Sequence, residues 1–274
     1  MLLKVHKHFA IATAALAIAL SCPSARATNI RVAVTPTAAN AIADVVSDFI
    51  LANPTYTVTL ISQSDSISND AIVAGGSGYD LLLAQSALVP VVLKLRYPSL
   101  LAGDPFPYAV DTLVLYSTTV DISNGAPLTL APFAVPDPST LDPYGLATVE
   151  VLRLRYLAAS RKGLPILTSD SGSSYASVEY LGTTYGFTGK SQICTAVTGV
   201  EEFEPGSFHH EYVFARDYFT PIVLAGVKLA NTRDATQETE LIDFVNFLAA
   251  AGGTTLQQHC YKLPGAATSL ALPK

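Results

Sequence analysis

An α/β fold with a largely parallel sheet is predicted for this chain, and three observations predict it. Strand-like apolar runs alternate with helically spaced ones along nearly the whole length. At three places such a run stops at a cluster rich in small hydroxyl residues, with Pro or Gly in two of them, and restarts with helical spacing. The 274 residues, half of them hydrophobic, are also enough for one large or two modest cores.

The three turns come first. Ile30–Val34 reads as a strand, Thr35-Pro36-Thr37 as the turn, and Ile42, Val45, Val46, Phe49 and Ile50 as one face of a helix. Val58–Ile61 leads through Ser62-Gln63-Ser64-Asp65-Ser66 into a short helix toward Ile72. Phe133–Val135 leads through the segment from Pro136 to Gly145 into a helix carrying Val149, Leu152 and Tyr156. A helix start leaves backbone N–H groups unpaired at the positive end of its dipole, so each turn is suited to hold an anion.

Between and after these, Tyr79–Ala84 reads as a buried strand and Leu88–Leu95 as a helix ending before Pro98. Asp111–Tyr116 is a strand, Cys194–Val200 a helix, Tyr212–Ala215 a short strand and Ile222–Ala230 another strand. Gln237–Ala250 is a helix with Leu241, Ile242, Val245 and Leu248 on one face, and Thr168–Ser174 is a loop. No internal repeat or long low-complexity linker is visible.

The first 27 residues read as a cleaved export signal: Lys4 and Lys7, an uncharged run over Phe9–Leu20, and small residues in Ala25-Arg26-Ala27. The run is well short of the roughly 20 residues that span a bilayer. Lipid attachment at Cys22 is the minor alternative, since Ala19 stands three before it. Cleavage removes Lys4, Lys7 and Arg26 and leaves 13 basic against 22 acidic residues, a net charge of −9. That balance argues against nucleic acid as a partner, whose binders cluster Lys and Arg. Surface charge is screened over about 8 Å, so it does not argue against an anion in a closed cleft.

Cys194 and Cys260 remain after cleavage, and in an exported chain an isolated pair is more often bridged than free. Two buried thiols are the alternative. Metal is the least supported reading, because no CxxC or close Cys/His spacing is present.

At these residues the chain resembles the periplasmic molybdate-binding proteins of ABC importers, within the type II solute-binding fold. The resemblance runs from Asn29 to about Pro264: the hydroxyl-bearing turn of Val32–Ile42, the Ser-rich turn Ser62–Ser66, Gly75–Ala84, and Asp137-Pro138 followed by Pro143-Tyr144-Gly145. The closing run from Thr220-Pro221-Ile222 through Phe244-Val245-Asn246-Phe247-Leu248 to Gly252 is similar to the family's return strand and last long helix. It implies two lobes, with residues 28–109 and 218–274 forming the first and 110–217 the second. The chain would cross near Tyr108–Thr112 and return near Arg216–Pro221. A small oxyanion such as molybdate or tungstate would sit between the lobes, and closure would signal to a membrane permease. The implied protein is a periplasmic monomer with no catalytic activity, cofactor or metal.

Carried over by position, the implied contacts are Thr37 and Ser64 or Ser66 from the first lobe. From the second come Tyr144 and Ile193 through backbone, and Phe214. The family often has Ser at Thr37, a small residue at Tyr144 and a Tyr hydroxyl at Phe214, so the oxyanion architecture is better matched than molybdate itself. Each residue also has a plainer reading. Thr37 reads equally as a helix cap, Ser64 and Ser66 as a surface turn, Pro143-Tyr144-Gly145 as a helix start and Phe214 as core packing. Asp65 is a warning, because an inward carboxylate would repel an anion. Hydrogen bonds to a charged group contribute about 1.5–3 kcal/mol each. Micromolar binding needs about 8 kcal/mol, so neutral donors suffice without Lys or Arg.

His209-His210-Glu211 is the one cluster with metal-ligand chemistry, but adjacent strand residues face opposite ways and do not easily share an ion. A polar strand start is the plainer reading, although a cleft-facing His210 would make binding depend on pH. The acidic run Glu201, Glu202 and Glu204 reads as a solvated loop. Neither Gly76-Ser77-Gly78 nor Ser171-Gly172-Ser173 forms a nucleophile elbow, and no phosphate-binding loop of an ATPase is present. A carboxylate or other small-anion binder on the same fold is the second reading. A metal-dependent hydrolase, or a structural protein without a cleft ligand, comes after it.

Overall fold

The computed structural model describes residues 29–126, 132–155, 165–213, 217 and 219–265. The expected signal segment, Tyr156 and Phe214 lie outside the described residues.

Two five-stranded sheets organise the chain. The first runs β2 (Thr57–Ser62), β1 (Asn29–Val34), β3 (Leu81–Ala84), β12 (Ile222–Lys228), β4 (Phe106–Asp111). Its strand β1 is parallel to β2 and β3, while β12 runs antiparallel to both β3 and β4. The second runs β11 (Phe208–Glu211), β5 (Leu113–Ser117), β8 (Tyr185–Gly189), β6 (Phe133–Pro136), β7 (Pro165–Thr168). There β6 is parallel to β7 and β8, and β5 is antiparallel to β8 and β11. The chain leaves the first sheet through Thr112, between β4 and β5, and returns between β11 and β12. Both sheets are therefore mixed.

Alternation along β1 explains how the first sheet is covered on both faces. Ile30, Val32 and Val34 pack with Ile42, Val45, Val46 and Phe49 of helix α1 (Ala39–Ala52). Ala33 turns the other way, toward Leu82, Ala84, Ile72 of helix α2 (Asp65–Val73) and Leu93 of helix α3 (Leu88–Arg96). Phe49 also meets Phe244 and Phe247 edge-on, with ring centres 5.1 and 5.4 Å apart. Those rings belong to helix α6 (Ala235–Ala249), whose start carries a reciprocal cap between Asp234 and Gln237. Phe49 and Phe244, fully buried, each contribute about 1.5–3 kcal/mol by leaving water. The second sheet is covered by helices α4 (Pro143–Arg155) and α5 (Ser171–Leu181), and Phe187 packs against Phe133 and Tyr212 at its centre.

Four local expectations are corrected. Cys194–Val200 is not a helix: β9 (Cys194–Val197) turns at Thr198-Gly199 into β10 (Val200–Phe203). Both turn residues have positive φ, 52° and 80°, the geometry of a tight two-residue hairpin loop, and Thr195, Val197 and Val200 are β-branched. Thr168–Ser174 is not a loop, because Asp170 accepts from the Ser173 N–H and starts α5 at Ser171. Of the strand read at Tyr212–Ala215, Tyr212 and Val213 are not in a strand and the rest lies outside the described residues; the strand here is β11, where His209 and His210 pair with Tyr116 and Leu115. The strand read from Asp111 is two strands that change sheet at Thr112, a break that an apolar run does not reveal.

Cys194 and Cys260 are bridged, as expected, with Cα atoms 5.9 Å apart. The bridge ties the hairpin to the segment that follows helix α7 (Ala251–Gln258). Lys262 of that segment pairs with Val110 of β4. No helix among the described residues is long and apolar enough to cross a membrane.

Candidate ligand-binding cleft

Where the two lobes face each other, polar side chains from the ends of both sheets meet. Thr35 and Thr37 follow β1, and Gln85 follows β3. Asp142 precedes α4, Ser171 opens α5 and Gln192 follows β8. The Gln85 amide joins the two sides. Its Oε1 accepts from the hydroxyls of Thr37 at 2.9 Å and Thr35 at 3.3 Å. Its Nε2 donates to Asp142 Oδ2 at 2.6 Å. The Ser171 hydroxyl reaches Thr37 Oγ1 at 3.4 Å, and Gln192 Nε2 donates to the Thr37 carbonyl at 2.9 Å. Thr37, Gln85 and Asp142 are 5%, 8% and 2% exposed, so the arrangement is closed to bulk water.

The same region holds negative charge on neutral donors. Asp142 caps α4, with Oδ1 accepting from the N–H groups of Tyr144 at 2.9 Å and Gly145 at 3.0 Å. Gly145 is needed there, since a Cβ would lie 2.3 Å from the Pro136 carbonyl oxygen. Asp65 accepts from the N–H groups of Gln85 and Ser86. Beneath, Asp111 accepts from the hydroxyls of Tyr144 at 2.7 Å and Ser191 at 2.6 Å and from the Thr112 N–H at 2.7 Å. Burial pushes the Asp142 carboxyl up to about 6, against the hydrogen bonds from Gly145, Gln85 and Tyr144. It pushes Asp65 up to about 7, against the Gln85 and Ser86 N–H donors, with Asp142 adding to the rise. Burial also raises Asp111, against its hydroxyl and N–H donors.

Five of the six expected contacts lie among the described residues, and they fall in different places; Phe214 lies outside them. Thr37 lies at the centre of the cluster, and its hydroxyl is not a helix cap. Ser64 caps α2 through the Ile67 N–H, and the exposed Ser66 meets the Ser64 hydroxyl at 3.1 Å. Asp65 between them is the residue that turns to β3. Tyr144 is fully buried, and its N–H goes to Asp142 rather than outward. The Ile193 N–H is taken by the Lys190 carbonyl, and its side chain packs beside the disulfide. Gln85, Asp142, Ser171 and Gln192 were missed. Asp142-Pro143 is a legible cap-plus-proline helix start, but nothing local says that Gln85 crosses to it.

The histidine pair makes its ring contacts elsewhere. His209 stacks on Phe203 with ring centres 3.9 Å apart, and His210 Nδ1 meets the Ser123 carbonyl at 2.7 Å. The acidic run is exposed but not all loop: Glu201 and Glu202 lie on β10, Glu201 pairs with Lys190 at 2.5 Å, and Glu211 pairs with the same ammonium at 2.6 Å. Burial lowers the Lys190 pKa, but the two carboxylates outweigh it and hold the group above its ordinary value.

Solved structures share this architecture. The periplasmic molybdate-binding protein of Azotobacter vinelandii superposes with a TM-score of 0.70 at 21% identity, over 86% of this chain and all of that one. The substrate-binding domain of a proposed molybdenum ABC transporter from Clostridium difficile gives 0.62 at 17%, over 86% of this chain and 99% of the other. The fold is that of a type II solute-binding protein. Iron-bound HitA from Pseudomonas aeruginosa also matches, at 0.58 and 14% identity, over 88% of this chain and 90% of that one. The architecture therefore carries chemically different ligands. No protein-family model matches the sequence, and no curated protein does.

Proposed function

We propose that this chain is an exported solute-binding protein of an ABC importer, closing its two lobes on a small tetrahedral oxyanion of the molybdate and tungstate class. The observation that carries this reading is the cluster between the lobes. Hydroxyls of Thr35, Thr37 and Ser171 converge there with the start of α4, at the ends of strands in both sheets. Open α/β sheets bind ligands at such strand ends, and closure by hinge motion belongs to the repertoire of two-lobed binders. The proposed lobes are residues 28–109 with 218–274, and 110–217. The proposed setting is a periplasmic monomer that delivers its ligand to a membrane permease, without catalysis or nucleic acid.

Thr37 is the central proposed contact, joined by Thr35 and Ser171 where the Gln85 amide gives way to ligand, with Ser64 and Ser66 on the approach. The backbone roles of Tyr144 and Ile193 require that their N–H groups exchange internal partners for ligand. Calorimetric titration of the mature, ligand-stripped protein with molybdate, tungstate, sulfate and phosphate tests the reading. Micromolar or tighter binding of at least one is expected, and Thr37→Ala is expected to weaken it by roughly tenfold while the protein stays folded. Silence toward all four removes the oxyanion reading. Binding of a small carboxylate instead would favour the second reading.

A further inference from the structure

The Gln85 amide joins hydroxyl donors on the first-lobe wall to a carboxylate acceptor on the second-lobe wall, which also carries the Ser171 and Gln192 donors. On the first-lobe wall the hydroxyls of Thr35 and Thr37 donate to the Gln85 oxygen. On the second-lobe wall Asp142 Oδ2 accepts from the Gln85 nitrogen. An ionised carboxylate has no proton to donate, so the amide is oriented with its NH2 toward Asp142. The other Asp142 oxygen is already committed to the Tyr144 and Gly145 N–H groups. A ligand that displaces the Gln85 amide from between these walls must replace both halves of it. It must offer oxygens to the hydroxyls and a hydrogen to Asp142 Oδ2. A fully deprotonated tetrahedral anion has only oxygens to offer and would set one of them against the carboxylate.

We infer that the closed cleft holds its anion together with one proton, shared between the ligand and Asp142 Oδ2. The inference rests on the oxyanion reading and narrows it. Anions that keep a proton near neutrality, such as inorganic phosphate, bring their own. Sulfate and molybdate bring none and take one up as they bind. A site built around a hydrogen bond rejects a partner that cannot complete it far more strongly than one that fits loosely. The acceptor wall is therefore a discriminating element rather than a cost spread over all anions.

The titratable groups around Asp142 are Asp65 at the start of α2, Asp170 before α5 and the Tyr144 hydroxyl, with Asp111 below it. Asp65 faces backbone N–H groups rather than the Gln85 amide, so it separates from Asp142 by substitution.

The experiment is titration of the mature protein and of Asp142→Asn with molybdate, sulfate and phosphate at pH 5.5 and pH 8. Asn keeps the oxygen that caps α4, and circular dichroism checks that the variant is folded. In the unaltered protein, molybdate and sulfate are expected to lose at least tenfold in affinity between the two pH values, and phosphate markedly less. Asp142→Asn is expected to bind the two fully deprotonated anions at least tenfold more tightly at pH 8 and to lose the pH dependence. Dianion binding that ignores pH in the unaltered protein overturns the inference and leaves the oxyanion reading standing. So does a pH dependence that survives in Asp142→Asn and disappears in Asp65→Asn. If no anion binds either protein at either pH, the oxyanion reading itself falls and takes the inference with it. Should Asp142→Asn not fold, the pH comparison on the unaltered protein, with Asp65→Asn beside it, still decides.

Discussion

Lys190 and Ser191 are neighbours in the chain but serve clusters that balance negative charge in opposite ways. The Lys190 ammonium lies between Glu201 and Glu211, over the Phe203 ring, close to the Cys194–Cys260 bridge. The Ser191 hydroxyl instead donates to Asp111, which with Asp142 and Asp65 is held by N–H, hydroxyl and amide donors. The first cluster is a structural ion pair with its own counter-charge. The second holds carboxylates on neutral, directed donors, the same means by which a cleft holds an anion without binding it irreversibly. The contrast teaches that buried charge alone does not mark a site; the kind of group that balances it does.

Four changes break or sharpen that contrast. The largest effect is expected from Asp111→Ala, which strands the Tyr144 and Ser191 hydroxyls and the Thr112 N–H. About 3–5 kcal/mol of unfolding free energy is expected to be lost in urea titrations, because buried donors without acceptors are costly. Next is the bridge, whose cysteines are 66 residues apart. Reduction, or the double change Cys194→Ser with Cys260→Ser, is expected to lower stability by about 2–4 kcal/mol in the same assay. A smaller loss of about 1–3 kcal/mol is expected for Lys190→Met, since Glu201 and Glu211 are partly exposed and water replaces some of the lost attraction. If that loss exceeded the loss in Asp111→Ala, the ionic corner, not the neutral-donor cluster, would be the costlier one to disturb.

The smallest expected effect is the Asp142 share of a slope with pH. Burial raises Asp142 to about 6 and Asp65 to about 7 in the folded chain, above the unfolded carboxylate value. The folded state therefore holds more protons between about pH 4 and pH 7, and stability falls as pH rises through that window. For Asp142 the change between pH 5 and pH 7 is about 1 kcal/mol. Thermal unfolding of Asp142→Asn across this range is expected to show a shallower slope, and an unchanged slope would assign the effect to the other raised carboxyls, Asp65 and Asp111.

Much of the first lobe was legible because its signals are local and repeated. Ile30–Val34 alternates, Thr35-Pro36-Thr37 interrupts, and the apolar spacing from Ile42 to Phe49 leaves one helical reading. The errors cluster where tertiary context overrides local pattern. Cys194–Val200 has apolar residues at spacings open to either period, and only the Thr198-Gly199 turn separates hairpin from helix. Ser171–Ser174 looks like a loop until Asp170 is recognised as a cap. In the candidate cluster, Thr37 could be singled out because a hydroxyl beside a strand end is recognisable by itself. Gln85 was not, because an amide after an apolar strand has many uses.

Local chemistry along the chain determined the strand-and-helix alternation, the hydroxyl-bearing turns and the pairing of the two cysteines. Those follow from periodicity, backbone donors and redox setting, which act over a few residues or on composition. Only the tertiary structure decided that Gln85 and Asp142, 57 positions apart, share a hydrogen bond, and that Asp65 rather than Ser64 or Ser66 turns toward β3. Which side chain faces which across a cleft depends on how two sheets are set against each other, and no short-range pattern encodes that.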